Sequence, residues 1–399
     1  MKGRRALVAV ITLAMGAGLV SPAVAATPHV ALSSQLRAVT CSKPTNCFAV
    51  GELAPTSGSS NTLVVHWNGT AWSIVPSPSA TGADFSRLYG VSCSSTTSCF
   101  AVGQQFVRST SLGKTLVERW NGKTWSIVPS PNPSTPKISS ELHAVSCVNA
   151  SSCIAVGLQL LDPSTCCSTL IERWNGKTWS IMKPPTVAGA GYSRLDAVTC
   201  TSASKCFAVG YYSINGRTSP LVERWSGTTW SIVPSPNPEI GEGGWFASVA
   251  CTAATNCVAA GAYSEGGAGR PASLIEQWNG KTWSIVNNPN PVRSYNELNG
   301  VACFGTSSCM TVGEYYRPGA PKPYYFLGSR TVIQRWNGKH WSIVASPNGS
   351  VYNVLAGVAC PATTTCFAVG NSASNGGPTG MLVERWNGTA WSVVSTPAP

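Results

Sequence analysis

The chain has 399 residues, of which 43% are hydrophobic and 11% charged, with 39 glycines, 28 prolines, 16 cysteines and a formal net charge of +12. The sparse charge, with no Lys/Arg run and no known nucleic-acid-binding motif, gives little support to a nucleic-acid-binding domain, so no nucleic-acid partner is expected. The mild basic excess favours an anionic partner, an acidic glycan or an anionic wall polymer.

Lys2, Arg4 and Arg5 open the chain, Ala6 to Val20 form an apolar stretch, and Ala23-Val24-Ala25 or Val24-Ala25-Ala26 offers a small-x-small cleavage site. This is the pattern of a secretory signal peptide over 1–26, and its apolar run is short for a membrane span. The expectation is a secreted, extracellular, monomeric mature chain over 27–399 with no membrane span, its net charge falling to +9 with the three basic residues gone. The export route stays open.

One pattern then recurs seven times with a period of about fifty residues, which marks a repeat architecture. Each copy begins with Leu-x-small-Val-x-Cys. The small position holds Ala38, Gly90, Ala144, Ala197, Ser248, Gly300 and Gly357, as expected where strands crowd at an axis. Next come a five-residue gap and a second strand of the Cys-Phe-Ala-Val-Gly type. A variable stretch leads to a third strand of the Leu-Val-Glu-Arg-Trp type, an Asn-Gly turn, and a short Trp-led outer strand ending in a Pro-rich link. In the second copy the strands are expected over 88–93, 99–103, 115–120 and 125–128. No segment keeps a helical period, and four short strands per repeat predict an all-β, seven-bladed β-propeller with four antiparallel strands per blade.

This order of strands resembles the kelch repeats of galactose-oxidase-like propellers over nearly the whole mature chain. It departs from them where kelch blades carry Gly-Gly and this chain has Ala49-Val50-Gly51. The segment Trp67–Ser73 resembles the hairpin of bacterial propeller lectins. Neither likeness implies one activity, because propellers host many.

Cysteines recur as Cys-x5-Cys between the first two strands. An exported chain predicts disulfides Cys41–Cys47, Cys93–Cys99, Cys147–Cys153, Cys200–Cys206, Cys251–Cys257, Cys303–Cys309 and Cys360–Cys366. Cys166-Cys167 stands apart, open to a vicinal disulfide, two free thiols or a bridge to another chain. The turn glycine fits a type II′ turn that sets the flanking tryptophans opposite each other. The Glu-Arg step predicts a directional ring of ion pairs between neighbouring blades, Arg119–Glu172, Arg173–Glu223, Arg224–Glu276 and Arg335–Glu384.

Candidate binding residues are those at which the repeats disagree. At the start of the innermost strands these are Arg87, Tyr89, Glu141, His143, Arg194, Asp196, Trp245 and Glu297, expected to ring the mouth of an axial channel. The loops between second and third strands add Tyr211, Tyr212, Tyr315, Tyr316 and Arg317. Mixed polar and aromatic groups around a cleft suit a sugar. No Gly-rich phosphate loop, Ser-His-Asp motif or zinc helix appears, so no catalytic residue, metal or cofactor is assigned. The favoured reading is a non-catalytic module that binds a glycan or cell-envelope polymer. Its alternatives are a polysaccharide-active enzyme using Glu141, Asp196 or Glu297, and a scaffold for a protein partner.

Overall fold

The computed structural model describes residues 32–55, 58–133, 139–160, 167–238, 241–265, 270–291, 295–316, 328–374 and 377–399. The expected signal segment 1–26, Cys166 and Arg317 lie outside them. The described residues form 28 strands and no helix. In each repeat four consecutive strands pair antiparallel in chain order, as in Phe85–Ser95, Ser98–Val107, Leu112–Trp120 and Trp125–Ile127. Each such unit has an inner, a second, a third and an outer strand.

Two details differ from expectation. The inner and second strands run further than predicted, so residues assigned to variable loops lie in strands. The repeats were expected to form separate sheets, but units three to five merge into one 12-stranded sheet beside four 4-stranded ones. The merger rests on single parallel pairs, Cys167 with Tyr192 and Thr218 with Gly243. The lengthened strand ends reach the next unit and bond to it.

The core lies between units. Successive side chains of a strand point to opposite faces. In unit one Cys47, Ala49, Leu63 and Val65 therefore pack toward unit seven, while Phe48, Val50 and Val64 pack toward unit two. Seven apolar clusters among the described residues repeat this scheme, one at each junction. The cluster joining units seven and one, with Phe367 5.2 Å from Trp67, closes the ring by packing, without exchange of a strand. Trp67 and Trp72 and their counterparts are paired across the hairpin, and all but the half-buried Trp120 are at most 9% exposed. Their burial assigns them to packing.

All seven expected disulfides are formed, each clamping the inner and second strands at a Cα separation of 4.0–4.1 Å. Cys167 is buried at the start of its strand. In the outer hairpin the turn glycine has positive φ, +103° at Gly69, as expected. The sequence reading did not anticipate the cap: Asn68 Oδ1 accepts the N–H groups of Thr70 and Ala71, at 2.9 and 3.0 Å. Ser226 does the same with its hydroxyl, which is how the one copy without Asn keeps its turn.

The predicted ion-pair ring is absent among the described residues. Alternation does bring Arg119 and Glu172 to one junction, but Arg119 lies over the rings of Phe100 and Trp174, 5.7 and 5.6 Å away. Trp174 stands two residues beyond Glu172 on the same face, about 7 Å further along the strand. Arg224, Arg335 and Arg385 stack on the corresponding tryptophans. The glutamates are fully buried and take a hydroxyl from the preceding unit's Pro-rich link instead. Ser77 donates to Glu118 at 2.6 Å, Ser130 to Glu172 at 2.8 Å, and Ser235 and Ser346 donate to Glu276 and Glu384 at 2.9 Å. Burial raises these carboxyls to about 7 or 8, against the lowering effect of the serines. Unit three has Pro184 at the serine position, and both oxygens of Glu223 lack a donor in hydrogen-bonding geometry. Burial raises Glu223 to about 8, only partly offset by the Thr169 hydroxyl.

Candidate functional site

A single device builds the axial site. In every inner strand one residue is skipped in the pairing with the second strand, a β-bulge that turns its side chain away from the ladder. Leu36 pairs with Gly51 and Ala38 with Val50, leaving Arg37 as the bulge residue. The same offset leaves Tyr89, His143, Asp196, Ala247, Asn299 and Ala356 unpaired. Bulges re-aim side chains in this way. They also explain the glycine in the middle of each second strand: a Cβ on Gly51 would lie 1.9 Å from the carbonyl oxygen of Gln35, and one on Gly210 would lie 2.2 Å from that of Arg194. The small residue after each bulge faces the axis. A Cβ on Gly90 would come within 2.8 Å of the Ala144 backbone, which bears out the crowding read from the sequence.

The bulge residues, with those two positions before them, line a cavity of about 600 Å³ to which the inner strands of all seven units contribute. A narrower space of about 220 Å³ continues past the ring of small residues.

Around units one to four the walls carry a network of ion pairs. Arg37 and Arg87 share Glu52, each at 2.6 Å. His143 is held between Glu141, 3.0 Å from Nε2, and Asp196, 3.3 Å from Nδ1, and Arg194 reaches Asp196 at 2.8 Å. Burial alone would lower the imidazole, but the hydrogen bonds and charges of the two carboxylates outweigh it and raise His143 to about 9. Burial would raise Glu141, and the His143 contact reverses that into a net lowering. Tyr89 sits edge-on to His143 at 5.9 Å and under Arg37 at 5.3 Å, its hydroxyl raised by burial and by Glu141.

Units five to seven present a different wall. Trp245 Nε1 donates to Glu297 Oε1 at 3.1 Å, and the Tyr295 hydroxyl donates to Glu297 Oε2. Glu314 stands directly opposite Glu297 in the strand pairing, raised to about 7 by burial and by the Glu297 charge. Tyr352 and Asn371 complete this side of the cavity.

The residues read from the sequence thus divide. Tyr89, Glu141, His143, Arg194, Asp196, Trp245 and Glu297 line the cavity, and Arg87 stands beside it on Glu52. The loop tyrosines are corrected: Tyr211, Tyr212, Tyr315 and Tyr316 belong to second strands. Tyr212 and Tyr315 pack against junction cores, and Tyr211 lies parallel to Tyr192 under Arg194. No exposed aromatic patch is formed by them. Sequence reasoning missed Glu52, Glu314 and Asn371, which share one address, the residue directly after the second-strand glycine. It also missed Tyr295 and Tyr352. No group of three or more potential metal ligands occurs among the described residues. None of their helices is long and apolar enough to cross a membrane, there being none at all.

No family model and no curated protein matches the chain. Solved structures do match it. One is YCF48 bound to D1 peptide, 14% identical, covering 93% of this chain and 95% of that one at a TM-score of 0.50. A polysaccharide lyase, ulvan lyase, is 10% identical over 90% and 95% at 0.55. The GH74 xyloglucanase from Xanthomonas campestris is 12% identical over 90% of this chain and 53% of its own length at 0.56. At these identities the likeness establishes the fold: an all-β, propeller-type chain stitched by disulfides.

Proposed function

We propose that the seven units are the blades of one secreted, monomeric, kelch-like propeller, and that it binds a glycan in the axial cavity without transforming it. The observation that carries this reading is the cavity itself. About 600 Å³ is the size of a small-molecule site, and every blade supplies it with side chains aimed inward by a bulge. Half-buried Trp245 gives a flat apolar face, and Tyr89, Asn299, Tyr352 and Asn371 give hydroxyl and amide partners for sugar hydroxyls. Two of the carboxylates an enzyme would need, Glu141 and Asp196, are tied to His143 and Arg194, which favours recognition over hydrolysis. The disulfides support an oxidising compartment, in keeping with export. Two of the structural neighbours carry polysaccharide-directed names, which makes glycans the first ligands to try.

The test is a glycan array probed with the mature chain, followed by calorimetry on the best ligand. Trp245→Ala should weaken that ligand by about five- to thirtyfold, since a stacked aromatic anchor contributes on the order of 1–2 kcal/mol. An array with no glycan retained, or full affinity in Trp245→Ala, would sink the proposal.

A further inference from the structure

The cavity is polarised. In blades one and two, Arg37 and Arg87 share the single carboxylate of Glu52, leaving one positive charge in excess. In blades three and four, His143 and Arg194 are matched by Glu141 and Asp196. In blades five to seven, the described lining residues include Trp245, Glu297 and Tyr352 and no Lys, Arg or His. In a ring of seven, blades one and two lie across the axis from blade five, whose Trp245 bonds to Glu297 of blade six, so a cationic wall faces an anionic, aromatic one.

Glu297 is the group on that wall with hydrogen-bonding capacity to spare. A carboxylate has about four acceptor positions. The indole of Trp245 uses one on Oε1 and the Tyr295 hydroxyl one on Oε2. Both donors are neutral, so they orient the carboxylate without cancelling its charge. Behind it, the buried Glu314 carboxyl lies against the Tyr316 and Ser329 hydroxyls. A ring face beside a fixed carboxylate attracts a cation twice, through the π-system and through the charge. The facing Arg37 and Arg87 repel a cation and turn it toward this wall.

From this we propose that the wall formed by Trp245, Tyr295 and Glu297 is a subsite for a protonated amine, and that the glycan recognised carries a free amino sugar. The ammonium donates to Glu297 while the sugar ring lies against Trp245. The inference rests on the glycan reading above and narrows it, departing from the acidic partner that net charge alone suggested.

Calorimetry on the mature chain with four probes tests it: a glucosamine hexamer with free amines, its N-acetylated counterpart, an oligogalacturonate, and a trilysine peptide. The free-amine hexamer should bind at least about tenfold tighter than the N-acetylated one, the order expected of one charge-assisted hydrogen bond. Glu297→Gln should remove that preference, bringing the affinities for the free-amine and N-acetylated hexamers together. A thermal melt of the variant checks that it folds, and the probe series on the unaltered chain decides the matter if it does not. Equal or tighter binding of the N-acetylated hexamer or the galacturonate overturns the amine subsite and leaves the glycan reading standing. Failure of all the oligosaccharides, or preference for trilysine over them, overturns both.

Discussion

At the scale of single residues, the buried glutamates say most about how this ring is held. Each spends its burial on one serine hydroxyl from the preceding unit, and Glu223, facing Pro184, goes without. Pro184→Ser should therefore stabilise the chain by about 1 kcal/mol, the net worth of a buried hydrogen bond, and Ser130→Ala should destabilise it by about 1–3 kcal/mol through the orphaned Glu172. Paired denaturant titrations would check both, and a neutral or destabilising Pro184→Ser would contradict the pairing rule. His143 offers a spectroscopic test. With its pKa raised to about 9 by Glu141 and Asp196, its imidazole should still be protonated at pH 8 by NMR titration. Much of this residue-level order was hidden in the sequence for a definite reason. The Glu–Ser partners lie 38–42 residues apart and belong to different units. The Glu-Arg step invited pairing of the two charges, whereas the nearest partner on the strand face was an indole.

At the scale of elements, the inner strand with its bulge supplies most of the cavity lining, and the second strand adds Asn371 to it. The cysteine pairs were legible because they are local, six residues apart, and need no knowledge of neighbouring units. Once they fixed the register, counting back from each first cysteine gave the cavity-lining positions. The bulge itself was not legible, because it is a relation between two strands. Its trace is the glycine in every second strand, which reads in isolation as an ordinary strand end. Gly210→Ala would place a methyl 2.2 Å from the Arg194 carbonyl oxygen. It should cost about 3 kcal/mol or more and disturb Arg194 and Asp196, as a melt of the purified variant would record. The paired substitution Cys93→Ser, Cys99→Ser should cost about 2 kcal/mol, since so short a loop restrains the unfolded chain only modestly. A larger loss would mean that the bridge also holds the hairpin in shape.

At the scale of the whole molecule, the ring concentrates proton-binding groups at its junctions. Glu118, Glu172, Glu223, Glu276 and Glu384 have folded pKa values raised from 4.5 to about 7 or 8. Between those values the folded state binds more protons than the unfolded chain, so stability falls as pH rises. His143 acts with the same sign at higher pH: its contribution is complete below 6.5 and is lost as pH passes about 9. The melting temperature should therefore drop by at least about 5 °C between pH 5 and pH 9, and a flat or rising profile would contradict the protonated junctions. The division of roles also belongs to this scale. What repeats builds the ring, and what varies at the bulges gives the axis its chemistry. The most direct test of that division is the crystal structure of the mature chain soaked with its best array glycan. The sugar should lie in the axial cavity against Trp245 and Glu297, and density at the cysteine hairpins or along the outer strands, with the cavity empty, would contradict it.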